Sequence, residues 1–290
     1  MSLAIASLNS GSNGNCYYIG NNSDAILIDA GLTCLDTETR MRRIGLKMDK
    51  VKAVFISHEH SDHIKGIEVL AKKYQLPVYI TPKTYINGRL NIAENLVYPF
   101  TAANPVHIGS LQVLPFGKHH DAADPHSFVV SGNHINIGVF TDIGHCCDQV
   151  IHHFKQCHAI FLEANYDDEM LERGSYPYRL KQRIRGNKGH LSNAQALELF
   201  KQNRPRFMSH VLLSHLSRDN NHPQVALDMF EPFASGPTGS TEIYVASRYE
   251  ESPVIMIDAE QRHKLQPFTA QARRPAKGGK AVASNQLSLF

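Results

Sequence analysis

Ala53-Val54-Phe55-Ile56-Ser57-His58-Glu59-His60-Ser61-Asp62-His63 joins an apolar run to a cluster of ligand-type side chains. The run Ala53–Ser57 is short, apolar and partly β-branched, the pattern of a buried strand. Behind the cluster, Ile67, Leu70, Ala71 and Tyr74 fall at i, i+3, i+4 and i+7, which predicts an amphipathic helix over Ile64–Tyr74. A strand end feeding a helix makes a tight turn that can aim several side chains at one point. Here those side chains are His58, His60, Asp62 and His63, four potential ligands in six residues. Such donors suit imidazole-binding divalent metals such as zinc. A lone HxH would read as an ordinary surface turn. HxHxDH directly after a buried strand reads as a metal site.

Similar runs recur along the chain. Strands are expected at Ala25–Asp29, Pro77–Ile80, Leu111–Phe116, Ser127–Val130, Ile135–Thr141, Ala159–Glu163, Met208–Ser214, Glu242–Ala246 and Val254–Asp258. The early part is hairpin-like, with GSNGN (11–15) and GNNSD (20–24) as turns. Ser192 with Gln195 forms a capping box, and Ala196, Leu199 and Phe200 make the apolar face behind it. Mixed sheets with helices on their outer faces are the expected class.

HxHxDH is the signature of the metallo-β-lactamase fold, and the sequence resembles that family in further places. Leu27-Ile28-Asp29-Ala30-Gly31 resembles its first motif, His119-His120-Asp121-Ala122 its third, Thr141-Asp142-Ile143-Gly144 its fourth, and Leu213-Ser214-His215-Leu216-Ser217 its fifth. The resemblance covers about residues 1–258 and implies an αββα sandwich of two mixed β-sheets flanked by helices. It implies His58, His60 and His120 around one metal, Asp62, His63 and His215 around a second, and Asp142 bridging both. His120 is taken because the match is to an H-D-A tripeptide; His119 is the competing choice. Asp29 is expected to position the ligand loop, since carboxylates behind metal ligands commonly orient imidazoles. His210 reads as a core or edge histidine.

Two divalent ions sharing a carboxylate lie about 3.5–4 Å apart, lower the pKa of water and stabilise charge on a transferring phosphoryl group. A phosphodiester is therefore a natural substrate, and zinc or manganese the expected metal. The leaving oxygen then needs a proton. Gly189-His190-Leu191-Ser192-Asn193 resembles the His-Ser-Thr element of the tRNA 3′-processing endonucleases. His190 is thus the candidate general acid or phosphate contact, with a capping-loop histidine as the plainer alternative. Asp62 and His190 are the candidate catalytic residues.

Together, HEHSDHIKGIEVLAKKY, HHDAADP, TDIG, LEANYDDEML, GHLSNAQA and LSHLSRDNN resemble the WalJ/YycJ-like branch of the fold. That branch implies metal-dependent, 5′-end-directed exonuclease activity on DNA, in repair or replication. Glu163 and Asn165 match its E-x-N element and are candidate pocket residues, with strand-end capping as the alternative. Ser217 and Arg218 follow the last metal histidine, and Arg218 is a candidate phosphate contact. His126 departs from the branch, which often has a smaller or apolar residue there.

Composition agrees with a globular protein: 290 residues, 42% apolar, net charge +3. No run approaches the roughly 18 apolar residues of a membrane span, and the first residues lack a secretory pattern. The five cysteines form no CxxC pair, which suits reduced thiols in a cytoplasmic protein, and the absence of a long apolar run leads to the expectation of no membrane partner. The charge is unevenly placed. From Ala259 to Phe290 six basic residues face only Glu260, a charge of +5 that leaves the body at −2. Residues 259–285 are poor in large apolar side chains and read as a flexible basic linker. The last five, Gln286-Leu287-Ser288-Leu289-Phe290, resemble the bacterial sliding-clamp-binding pentapeptide, with Gln286, Leu287, Leu289 and Phe290 as the contacts.

Two rival readings share these residues. One is an RNA endonuclease or a cyclic phosphodiesterase of the same fold, although the long insertion of tRNA-processing relatives is not evident. The other is a metal-bound, catalytically weak adaptor recruited by the clamp.

Overall fold

The computed structural model describes residues 2–236 and 239–259. The expected clamp peptide and all but the first residue of the expected linker lie outside them. The chain opens with β1 (Ser2–Asn9), β2 (Cys16–Gly20) and β3 (Ala25–Ile28), an antiparallel meander turning at the two Gly/Asn-rich segments. β4 (Val51–Phe55), β5 (Val78–Tyr79) and β6 (Val97–Tyr98) extend this sheet in parallel. A second sheet starts with β7 (Val106–Ile108), β8 (Leu111–Gly117), β9 (His126–Gly132) and β10 (Ile135–Phe140), each antiparallel to the one before it. β11 (Ala159–Glu163) and β12 (His210–Ser214) continue it in parallel. After a two-residue pair, β13 (Ser235–Gly236) and β14 (Gly239–Ser240), β15 (Glu242–Val245) adds to the second sheet beside β12. β16 (Ile255–Asp258) returns to the first sheet, antiparallel to β1. Each seven-stranded sheet is therefore mixed.

Parallel neighbours need crossovers, and helices supply most of them. α1 (Cys34–Arg43), α2 (Ser61–Ile64), α3 (Ile67–Tyr74) and α4 (Pro82–Asn87) belong to the first half of the chain. α5 (Asp148–Phe154), α6 (Asp168–Arg173), α7 (Tyr178–Arg185), α8 (Asn193–Asn203) and α9 (Pro223–Ala234) belong to the second. Strand alternation sorts the apolar residues into three layers. Ile26, Ile28 and Phe55 of one sheet meet Phe161 and Leu212 of the other in the inner core. Ala25, Leu27 and Val54 face the opposite way and pack under Met41 of α1 and Ile67, Leu70 and Ala71 of α3. Ile160, Leu162, Val211 and Leu213 pack under Phe154 of α5, Leu199 and Phe200 of α8, and Phe230 of α9. The result is the expected αββα sandwich.

One helix differs from the expected one. Ile64–Tyr74 is broken into α2 and α3 at Gly66, whose amide donates to the Ala30 carbonyl at 2.8 Å. A Cβ on Gly66 would lie 1.9 Å from the Leu32 carbonyl oxygen, so only glycine permits this contact. The break lets the ligand turn leave the line of α3.

Candidate metal centre

The candidate ligands sit in the segments that follow the C-terminal ends of strands, Asp62 and His63 in the short helix α2. β4 delivers His58, His60, Asp62 and His63, with His60 as the N-cap of α2. β8, β10 and β12 from the second sheet deliver His120, Asp142 and His215. Asp29, Asp142 and His215 follow the ends of β3, β10 and β12 within two residues and have positive φ, +63°, +55° and +58°. Non-glycine residues adopt this region rarely, and it turns each side chain sharply out of its strand. Gly31 allows the turn to close, because a Cβ there would fall 1.7 Å from the Asp62 carbonyl oxygen.

Two trios form. Ligating atoms of His58, His60 and His120 lie within 4.8 Å of one another, and so do those of Asp62, His63 and His215. His58 Nε2 is 3.1 Å from His60 Nδ1. Asp62 Oδ2 is 3.4 Å from both His63 Nε2 and His215 Nε2. Ligands held tetrahedrally at about 2.0–2.1 Å are separated by about 3.4 Å, and these three separations are close to that. Asp142 stands between them: its oxygens lie 3.8 Å from His120 Nε2, 3.3 Å from His63 Nε2 and 3.5 Å from His215 Nε2. His120 Nε2 and Asp142 Oδ2 are buried without a hydrogen-bond partner, which a metal ion would supply. The donor set therefore fits two divalent ions. The ring gathered with His58 and His60 is His120; His119 is turned aside and packs on His145, ring centroids 4.3 Å apart.

Four of the converging imidazoles, all but that of His60, are held from behind. His63 Nδ1 lies 2.7 Å from Asp29, whose two oxygens also accept from the Ser57 amide and hydroxyl at 2.8 Å. His120 Nδ1 contacts the Gly189 carbonyl at 3.0 Å, and His58 Nδ1 the Ser57 hydroxyl at 2.9 Å. His215 Nδ1 is 3.2 Å from Glu163. Such partners fix which nitrogen faces a metal.

The electrostatics divide the histidines. Burial, with His63 and Lys118 beside it, pushes the His58 imidazolium pKa well down, and burial takes His120 down to about 4. Both are neutral, with lone pairs available. Burial also opposes charge on His63 and His215, but carboxylates led by Asp142 outweigh it. They raise His63 well above the usual range and His215 to about 10. Burial resists ionisation of Asp62 and Asp142 too, yet the surrounding imidazoles hold both pKa values down. The carboxylates thus call for positive charge at one point, the charge a divalent ion provides.

A cleft of about 250 Å³ opens over the centre, lined in part by His60, Asp62, Asn165, His190, His215 and Ser217. Two substrate-contact expectations need correction. Glu163 does not reach the cleft: it is 0% exposed, and its oxygens accept from the Ile143 and Leu191 amides (2.7 and 3.1 Å) and hold His190 and His215. Arg218 is exposed and folded onto Asp219 at 3.0 Å, outside the residues that line the cleft. His190 Nδ1 lies 2.7 Å from Glu163, and burial of that carboxylate is outweighed by His190 and His215, which take it down to about 2. His126 is buried against Phe100 and caps its own turn through the Asp124 carbonyl.

Sequence reasoning missed four residues. Asn15 Nδ2 lies 3.1 Å from Asp62 Oδ2. Buried Lys118 donates to the Thr141 carbonyl at 2.7 Å, beside Asp142. Asp121 and Arg183 form a 2.5 Å ion pair at the cleft. The H-D-A tripeptide itself contained Asp121, and the basic run before Gly189 was the available signal for Arg183.

A family model described as a beta-lactamase superfamily domain matches residues 24–215. The chain is 36% identical over 230 residues to the exodeoxyribonuclease YycJ of Bacillus anthracis, covering 78% of this chain and 87% of that relative. It belongs to the metallo-β-lactamase superfamily. Within that superfamily it falls in the WalJ/YycJ-like branch, being 32% identical to the exodeoxyribonuclease WalJ of Streptococcus pneumoniae over 76% of this chain and 83% of that one. Among solved structures, the metallo-β-lactamase fold protein YhfI of Bacillus subtilis superposes with a TM-score of 0.68, at 16% identity, over 88% of this chain and all of that one. Membership of the superfamily makes the chain a metal-dependent hydrolase. Among the described residues, no helix of this metallo-β-lactamase-fold enzyme is long and apolar enough to cross a membrane.

Proposed function

We propose that the chain is a dinuclear-metal phosphodiesterase that degrades DNA from 5′ ends, in repair or replication, and that Gln286–Phe290 bring it to the bacterial sliding clamp. The reading is carried by Asp142, one carboxylate set against both ligand trios. In this reading His58, His60 and His120 hold one ion, Asp62, His63 and His215 hold the other, and Asp142 joins them. Zinc or manganese bound there would polarise a phosphoryl oxygen and lower the pKa of water. The chain's own residues then orient the reaction. Glu163 fixes the His190 ring through Nδ1, leaving Nε2 as the atom that delivers a proton to the leaving oxygen. Asn165 and Ser217 line the cleft on the His215 side. The names of the two bacterial relatives support DNA as the substrate.

The test is degradation of DNA labelled at the 5′ or the 3′ end, with zinc or manganese, beside structured RNA and cyclic nucleotides. Metal-dependent loss of the 5′ label first, with RNA and cyclic nucleotides poorly cleaved, is expected. His58→Ala and Asp142→Ala abolish that activity while the far-ultraviolet circular dichroism of the body persists. Unchanged nuclease activity in either variant sinks the site assignment.

A further inference from the structure

The cleft has a floor of metal-ligand side chains and one wall that these do not explain. That wall is α7 and the residue leading into it. Leu180, Arg183 and Ile184 lie at i, i+3 and i+4, so one face of the helix addresses the cleft, with Tyr176 just before it. Among the described residues that line the cleft, Arg183 is the only lysine or arginine.

Its setting is unusual for a surface arginine. The side chain is 63% exposed, yet its Nε is held 2.5 Å from Asp121 Oδ2. The other oxygen of Asp121 lies 3.3 Å from His120 Nε2 and 4.0 Å from His60 Nε2. Asp121 thus reaches from the first ligand trio to Arg183. The backbone links α7 to the other end of the site. The His190 amide donates to the Ile184 carbonyl at 2.9 Å. A Cβ on Gly189 would fall 2.1 Å from that oxygen and 2.3 Å from the carbonyl oxygen of Arg183. The last turn of α7 and the His190 loop are pressed together, which places the backbone of Arg183 beside the His190 end of the site.

We propose that Arg183 is the phosphate-holding residue of the substrate strand, contacting the phosphate next to the one that is cut. The inference rests on the nuclease reading above. Tyr176, Leu180 and Ile184 give the adjoining sugar and base an apolar surface, and Arg183 supplies the cation such a strand requires. Asp121 keeps the guanidinium over the cleft until substrate arrives. An exposed ion pair of this kind is weak, whereas an arginine–phosphate contact is charge-assisted and can be bidentate, so exchange of partners favours the phosphate.

Arg183→Ala and Arg183→Lys are compared with the unaltered protein on a 5′-phosphorylated oligonucleotide and on bis(p-nitrophenyl) phosphate, which has no neighbouring phosphate. Binding of the same oligonucleotide, carrying a 3′ dye, is followed by fluorescence anisotropy on chelator-treated protein. For Arg183→Ala, KM for the oligonucleotide rises about tenfold and the loss falls there rather than on kcat. The loss on the small diester is smaller. The dependence of binding on salt becomes shallower by about one phosphate contact, and Arg183→Lys recovers part of the affinity. Equal losses on both substrates, or a fall confined to kcat, overturn the proposal, because Arg183 would then act on the centre and not on the strand. If the unaltered protein splits the diester but not DNA, the nuclease reading fails. The anisotropy still decides Arg183 in that event: equal affinity with and without its guanidinium overturns the assignment.

Discussion

Glu163 shows how far one buried carboxylate reaches. It ends β11, accepts from the amides that follow Asp142 and His190, and orients both His190 and His215. Glu163→Gln keeps the shape but sets an amide against two backbone donors and removes the charge. Partners of this type commonly carry about 10- to 100-fold in metal affinity or activity. Turnover is expected to fall by that order, with weaker retention of metal on dialysis. Loss of thermal stability alone, with turnover and metal content intact, would reduce Glu163 to a packing residue. His58, His60 and His63 stood out in the sequence because ligand-type residues followed an apolar run, and His120, Asp142 and His215 because their motifs resemble those of the family. Glu163 followed an apolar run too, but sequence does not say that its oxygens turn inward to two amides. Arg183 was hidden differently: its partner Asp121 lies 62 positions away.

Elements were legible where their own composition was enough. The capping box of α8 is present in full, and β11 has its expected limits. β6 and β7 were not anticipated, since strands of two and three residues take their place from neighbours. Helix α5 carries a consequence that sequence did not offer. Its His153 ring lies on Phe116, centroids 4.3 Å apart, and burial first, with His152 second, takes its pKa down to about 4. The ordinary value is 6.5, so between about pH 6.5 and 4 the unfolded chain binds a proton that the folded chain refuses. Its contribution to stability is complete above that window and is lost as pH falls through it. Thermal unfolding at pH 7 and pH 5 should therefore show a smaller drop in His153→Gln than in the unaltered protein. The difference is on the order of 1 kcal/mol, the partial exposure of the ring allowing for solvent screening. Parallel pH profiles would show that His153 does not titrate differently on folding.

At the scale of the whole molecule, charge argues for recruitment. The body carries −2 against the +5 of residues 259–290, so its overall field does not draw DNA in. The cleft answers this locally with Arg183, a contact for one strand already in place and not a surface that gathers duplex. In the proposed arrangement affinity for the site of action comes from Gln286–Phe290: two leucines and a phenylalanine fill an apolar groove on the clamp, and Gln286 supplies hydrogen bonds. Linking a weak peptide to a catalytic body makes the second encounter intramolecular and raises the local concentration of the cleft near clamp-loaded DNA. Deleting Gln286–Phe290 should accordingly remove capture by immobilised clamp while leaving hydrolysis of free oligonucleotide intact. On clamp-loaded circular DNA with a nick, the intact chain should outpace the truncated one. The advantage should vanish when free clamp-binding peptide is added in excess. Retained capture after the deletion would place the clamp contact elsewhere, and loss of free-DNA hydrolysis would give these five residues a part in the body's fold or cleft.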